Sequence, residues 1–381
     1  MRTTLLGWTA KEGWRTPGNA DPGHAHLVLY FGNIARLEGA TTPLSELAAR
    51  FPNAVVAGCS TAGEIFGCSV RDDSIAALCV TFEHSRVRAE MIHIGSAAES
   101  FDTAAALGRR LDAPDLQHVF VLSDGLNVNG TPMTRGFRST LTAGVSVTGG
   151  LAGDDARFQR TVVGLGADVG TNRIVAIGFY GDHLHVGYGS AGGWEAFGPR
   201  RLVTKSAGNV LYELDDQPAL ALYKRYLGDR ASELPASGLL FPLYLLPDRD
   251  AKEGLVRSIL AIDDAQQSLT FAGDIPKGHY VRLMKAGHNA LVDGAGAAAG
   301  NAIGAAIAGK TGFVVMVSCV GRKLVMGQRI EEEVEAVLAQ LGADTPAVGF
   351  YSYGEICPSG ITHSCDLHNQ TMTLTSFSEE A

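Results

Sequence analysis

Two stretches of this 381-residue chain place groups able to do chemistry in nearly the same frame. "GCSTAGEI", Gly58 to Ile65, offers a thiol at Cys59, hydroxyls at Ser60 and Thr61, and a carboxylate at Glu64 beside Gly63. "GFYSYGEI", Gly349 to Ile356, offers Tyr351, Ser352, Tyr353 and Glu355 around Gly354. Overlaid, Gly58 falls on Gly349, Thr61 on Ser352, and one Gly-Glu-Ile on the other. Cys59 or Ser60 could act as a hydrolytic nucleophile, but activation needs a base within hydrogen-bond reach, and no spacing supplies one. The nucleophile-elbow pattern G-x-S-x-G is also absent from the first stretch. Glu64 and Glu355 either form a carboxylate pair across two facing loops, or each closes its own loop by accepting hydrogen bonds. Tyr351, Ser352, Tyr353 and Glu355 combine flat apolar area with hydrogen bonding, which suits a pocket for a small amphipathic ligand and equally suits a tyrosine plug at a sheet end.

Both stretches follow an apolar run, so the elements that position them are strands. "HLVLYFG", the helical "TTPLSELAARF" with Pro43 at its first position, and "NAVVAGCS" read as strand, helix, strand. "TGFVVMVSC", "RIEEEVEAVLAQLG" and "PAVGFYSYGEI" repeat that order near the other end. The chain thus reads as α/β, two related mixed-sheet domains forming a pseudo-repeat with flanking helices, the boundary falling near Ser206 (1–206 and 207–381). Repeated loops at strand C-termini are where such folds build ligand sites. Trp194 and Phe197 in "GGWEAFGPR" read as cement for the domain interface.

Composition narrows the partners. A chain 46% hydrophobic supports two ordinary cores and is neither disordered nor fibrous. A formal charge of −9 without a basic run disfavours nucleic acid and anionic membrane surfaces. Six cysteines without C-x-x-C spacing argue against a structural zinc site or a disulfide framework. The N-terminus carries no evident export signal, so a cytoplasmic location is expected. The Ala/Gly-rich stretch from Ala286 to Gly309 is interrupted by His288, Asn289, Asp293 and Asn301, and reads as a closely packed helix rather than a membrane span.

Three glycine patterns imitate phosphate sites. "GAAIAGKT", Gly304 to Thr311, spells a P-loop, but a helix precedes it and a strand follows, the reverse of what phosphate binding requires. Gly309 there reads as a helix C-cap. "GAGAAAG", Gly294 to Gly300, reads as small residues on a packed helix. "TGGLAGD", Thr148 to Asp154, reads as a tight connection with some capacity to show amides to an anion.

The motifs "VVAGCSTAGEI", "FVLSDGLNVNG", "TGGLAGD", "NVLYELDDQPALALYKRYLG", "SCVGR", "AVGFYSYGEICP" and "LHNQTMTLTSF", in this order, resemble the FIST family with its N-terminal and C-terminal FIST domains in tandem. The resemblance spans about His26 to Phe377 and implies a sensor of small ligands rather than an enzyme. One branch that it resembles binds haem, senses nitric oxide and acts on a partner histidine kinase or cyclic-di-GMP enzyme. The resemblance also marks Asp154 and Asn369 as residues that could complete a pocket. Haem would need an axial donor, and the candidates are His185, on a strand face shared with His183, and His368. The other reading is a sensor of a metabolite such as an amino acid. A homo-oligomer is compatible with either.

Overall fold

The computed structural model describes residues 1–17, 23–38, 43–305, 311–359 and 365–380. Among them are eight α-helices and four sheets of seven, six, six and eight strands. The P-loop-like segment, with Gly309, falls mostly outside the described residues.

The expected strand, helix, strand units are present, and each is completed by a returning antiparallel strand. Leu27–Gly32 runs parallel to Val55–Ser60 and antiparallel to Ile75–Thr81. Phe313–Cys319 runs parallel to Ala347–Ser352 and antiparallel to Met372–Glu379. A third unit with the same pairing lies between them: Leu116–Ser123 is parallel to Ser146–Leu151 and antiparallel to Arg173–Tyr180. The first strand of each unit is buried along nearly its whole length because both its faces are covered, although Leu116–Ser123 carries Gln117 and His118 near its start. Gly58, Gly149 and Gly349 play one role in the three units. A Cβ there would lie 2.0, 1.9 and 2.0 Å from the carbonyl oxygens of Tyr30, Val121 and Met316, so the paired strands approach closely only over glycine.

After its second parallel strand, each unit sends a short strand into a neighbour's sheet. Glu64–Phe66 of the first unit pairs with Ala347–Ser352 of the last. Gly354–Pro358 of the last pairs with Ser146–Leu151 of the middle unit. Val163–Leu165 of the middle unit pairs with Val55–Ser60 of the first. The exchange closes a ring of three. Its interior is a single apolar cluster to which the equivalent strands contribute Leu29 and Phe31, Phe120 and Leu122, and Val315 and Val317. Phe31 stacks on Phe350 with centroids 4.7 Å apart.

The eight-stranded sheet stands beside this body with its own core around Val203, Leu220, Tyr223 and Phe271. Ser206, where the sequence places the boundary, lies near the end of its strand Glu195–Ala207. Helix His288–Ala305 packs its small residues against strand Leu184–Ala191, so close that a Cβ at Gly189 would fall 2.1 Å from the Ala298 carbonyl oxygen. Among the described residues no helix is long and apolar enough to cross a membrane.

Candidate functional site

The two Gly-Glu-Ile loops have the same hydrogen-bond plan. Thr61 Oγ1 donates to Glu64 Oε1 at 2.6 Å, while Ser74 donates to Oε2 from its backbone N at 3.2 Å and its Oγ at 2.7 Å. Ser352 Oγ donates to Glu355 Oε1 at 2.7 Å, while Thr371 donates to Oε2 from its backbone N at 3.1 Å and its Oγ1 at 3.0 Å. Each glutamate thus ties its loop to the strand that returns to its own sheet, and the two share none of these partners. Burial pushes their carboxyls up, Glu64 to about 7 and Glu355 to about 8, against the downward pull of the donors.

The loops of all three units meet where the parallel strands end. Ala62 N donates to Tyr351 O at 2.8 Å, Tyr351 N to Gly63 O at 2.9 Å, Gly153 N to Ser60 O at 3.0 Å, and Tyr353 N to Leu151 O at 3.1 Å. The Tyr353 hydroxyl accepts from Asp154 N at 3.1 Å and Phe158 N at 3.2 Å, and donates to the Asp154 carboxylate. Asp154 Oδ2 accepts from Gln159 N and Arg160 N, each at 3.0 Å. Cys59, Ser60, Thr61, Glu64, Asp154, Tyr351, Ser352, Tyr353 and Glu355 are all buried in this knot, around Gly63 and Gly354. Its polar groups serve one another, which matches the plug reading of the tyrosines.

Nucleophilic catalysis has no geometric support in this knot. Cys59 points into the apolar cluster, and burial pushes its thiol well up, away from the reactive thiolate. Ser60 Oγ accepts from Val162 N at 3.0 Å and has no histidine partner among the described residues.

A cavity of about 700 Å³ opens beside the knot, between the three-unit body and the eight-stranded sheet. That is a usual size for a small-molecule site. One wall is Tyr188, Ser190 and Trp194; the other is Tyr244, Val256 and Met284. Glu253 and Asn301 form an exposed rim, and Asn369 and Thr371 are the deep polar residues. Trp194 is fixed by donating its Nε1 to Gln370 O at 2.9 Å, so it does join the two parts as expected of it. Asn369 Oδ1 accepts from Ser258 N at 3.3 Å. Thr371 is the link to the knot, since it borders the cavity and its hydroxyl donates to Glu355.

Of the residues singled out in the sequence, His368 and Asn369 line the cavity directly, and Glu355 stands one hydrogen bond behind it. Tyr188, Tyr244 and Glu253 escaped sequence reasoning. They come from separate strands and loops and carry no motif; "HLHVGYGS" signals only a strand.

The lining does not fit a haem. His368 Nε2 is engaged by Cys357 O at 3.1 Å, and burial holds its ring toward the neutral form. His185 lies outside the cavity, its Nε2 at ion-pair distance, 3.1 Å, from Glu380. The described lining residues include no Lys or Arg to meet propionates, and they carry Glu253 and several hydroxyl groups where a porphyrin needs an apolar slot.

Comparison with known proteins agrees with the resemblance read from the motifs. Residues 26–217 match the FIST N domain and residues 219–358 match the FIST C domain. A solved cyanuric acid hydrolase from A. caulinodans aligns at 11% identity over 78% of this chain and 100% of its own, with a TM-score of 0.19, which carries no argument. No curated protein matches. With the two domains in tandem over most of its length, the chain belongs to the FIST family, whose domains are sensory modules that bind small ligands in signal transduction.

Proposed function

We propose that the protein senses a small polar metabolite, such as an amino acid, bound in the cavity between the three-unit body and the eight-stranded sheet. The observation that carries this reading is the path from Thr371, which borders the cavity, through the buried Glu355 carboxyl to the strand Gly354–Pro358 that the last unit lends to the middle one. A ligand that engages the Thr371 hydroxyl changes what Glu355 receives, and so biases a strand shared by two sheets. The signal then needs only a ligand that binds one arrangement of these elements better than the other. The partner that reads it is a histidine kinase or a cyclic-di-GMP enzyme, as the family resemblance implies, and the protein works by binding rather than by catalysis.

The test is a thermal-shift and calorimetric screen of the full chain against amino acids and related metabolites, with Asn369→Ala and Thr371→Val alongside. Saturable binding that both variants weaken supports the reading; binding that neither affects refutes the site. Haem with nitric oxide is the competing reading, favoured only by His368 at the cavity wall, and is tested by visible absorption of the haem-supplied protein. A Soret band that shifts with nitric oxide and is lost in His368→Ala would replace the metabolite.

A further inference from the structure

The residues around the cavity differ in kind from those of a site for a bare anion. Three half-buried aromatic rings, Tyr188, Trp194 and Tyr244, border one space. Their only charged companion among the described lining residues is the Glu253 carboxylate on the rim, close enough to Tyr244 to be felt by its hydroxyl. Arg200, which is also felt by the Tyr244 hydroxyl, donates to the carbonyl oxygens of Arg249 and Ala251 and is not part of the lining. His368 is held toward neutrality by burial. Aromatic faces present negative quadrupole potential to a cation, and several rings with a carboxylate form the usual recognition set for ammonium groups. A bare carboxylate or phosphate entering the same space would meet Glu253 and find no Lys or Arg among the described lining residues.

We infer that the cavity selects a small cation, a ligand bearing an ammonium or quaternary ammonium group, held among the Tyr188, Trp194 and Tyr244 rings and by the Glu253 carboxylate. The hydroxyl of Thr371 and the amide of Asn369 are left to read the ligand's polar end. This inference rests on the cavity being the ligand site and specifies the ligand's charge.

The probes are choline and 1,5-diaminopentane as cations, and acetate and glutamate as anion and zwitterion, each titrated into the full chain by calorimetry and tryptophan fluorescence. The other two tryptophans, Trp8 and Trp14, lie in N-terminal strands away from the cavity lining, so a change abolished by Trp194→Phe reports this site. Saturable cation binding is expected, weakened about tenfold by Glu253→Gln, the loss of one charge-assisted contact. Glu253 is exposed, so this variant keeps the fold; Tyr188→Leu is the second variant, expected to weaken choline more than diaminopentane. Binding of acetate or glutamate with neither cation saturating, abolished by Thr371→Val, overturns the cation assignment and leaves the cavity reading intact. If no probe saturates in the millimolar range, the cation assignment falls on that result, and the cavity reading is decided by the broader metabolite screen.

Discussion

Replacing Glu355 with Gln should make the protein relatively more stable as pH rises. The folded chain holds this carboxyl at about 8, against an ordinary value of 4.5, because burial outweighs the donors from Ser352 and Thr371. Between pH 5 and pH 7 the unfolded chain therefore ionises at this position while the folded chain keeps its proton. A folded value raised above the unfolded one gives stability that is full below about 4.5 and is lost as pH rises toward 8. The slope is about 1.4 kcal/mol per pH unit, so the native protein should lose about 3 kcal/mol over those two units through this group alone. Glutamine cannot titrate, and it can reproduce the neutral acid's bonding: its Oε1 accepts from Thr371 N and its Nε2 donates to the Ser352 hydroxyl. The assay is denaturant unfolding of native and Glu355→Gln protein at half-unit steps from pH 5 to 8.5, following the difference between the two so that all other groups cancel. A difference that moves in the variant's favour with pH supports the argument. A difference that is flat, or that moves against the variant, would show an ionised Glu355 stabilised by its three donors, and would refute it.

Glu64→Gln should show the same sign but level off about one pH unit earlier, because Glu64 is raised only to about 7; the same unfolding series checks it. Tyr353→Phe keeps the stack on Phe158, with centroids 4.3 Å apart, but strands the backbone N–H groups of Asp154 and Phe158 and the buried Asp154 Oδ1. A loss of about 2–3 kcal/mol in unfolding free energy is expected. Arg322→Met should cost about 3–5 kcal/mol, because Arg322 and Glu333 are a fully buried pair at 2.7 Å and the substitution leaves a lone buried carboxylate. Adding Glu333→Gln should recover part of that loss, since the amide still accepts from Ser318 and Tyr351; no recovery would mean that the guanidinium's bonds to Gly192 O and Leu291 O matter more than the charge.

What was legible in the sequence was local. The Gly58 and Gly349 match survives as a shared steric need, and Glu64 and Glu355 survive as a shared hydrogen-bond plan. The middle unit does not show in the sequence as a third copy because its loop lacks the repeated letters. "TGGLAGD" follows the same strand type, but eleven residues lie between Leu151 and Val163 where three lie between Ser60 and Glu64, and no Gly-Glu-Ile stands there. The exchange of short strands was illegible for a different reason. A three-residue strand has too little pattern to name its partner, and Glu64–Phe66 finds its partner almost three hundred residues away. The cavity escaped for both reasons at once, since Tyr188, Tyr244, Glu253 and Thr371 meet only after four separate pieces of chain have been placed.

The ring of exchanged strands also limits how a ligand can be read out. A hinge that opened the first unit away from the last would have to break the pairing of Glu64–Phe66 with Ala347–Ser352, and moving the last from the middle would break Gly354–Pro358 from Ser146–Leu151. Buried strand pairing of this kind is not given up for a small ligand, whose binding energy is of the order of one or two such losses. The eight-stranded sheet is under no such constraint: it has a core of its own, and it meets the three-unit body partly across the cavity. A ligand that touches Tyr188 and Trp194 on one side and Tyr244 and Met284 on the other binds the two parts to each other. The surface that a partner protein reads is therefore expected at the margin between the eight-stranded sheet and the body, where a small change in their fit moves side chains without unpairing a strand.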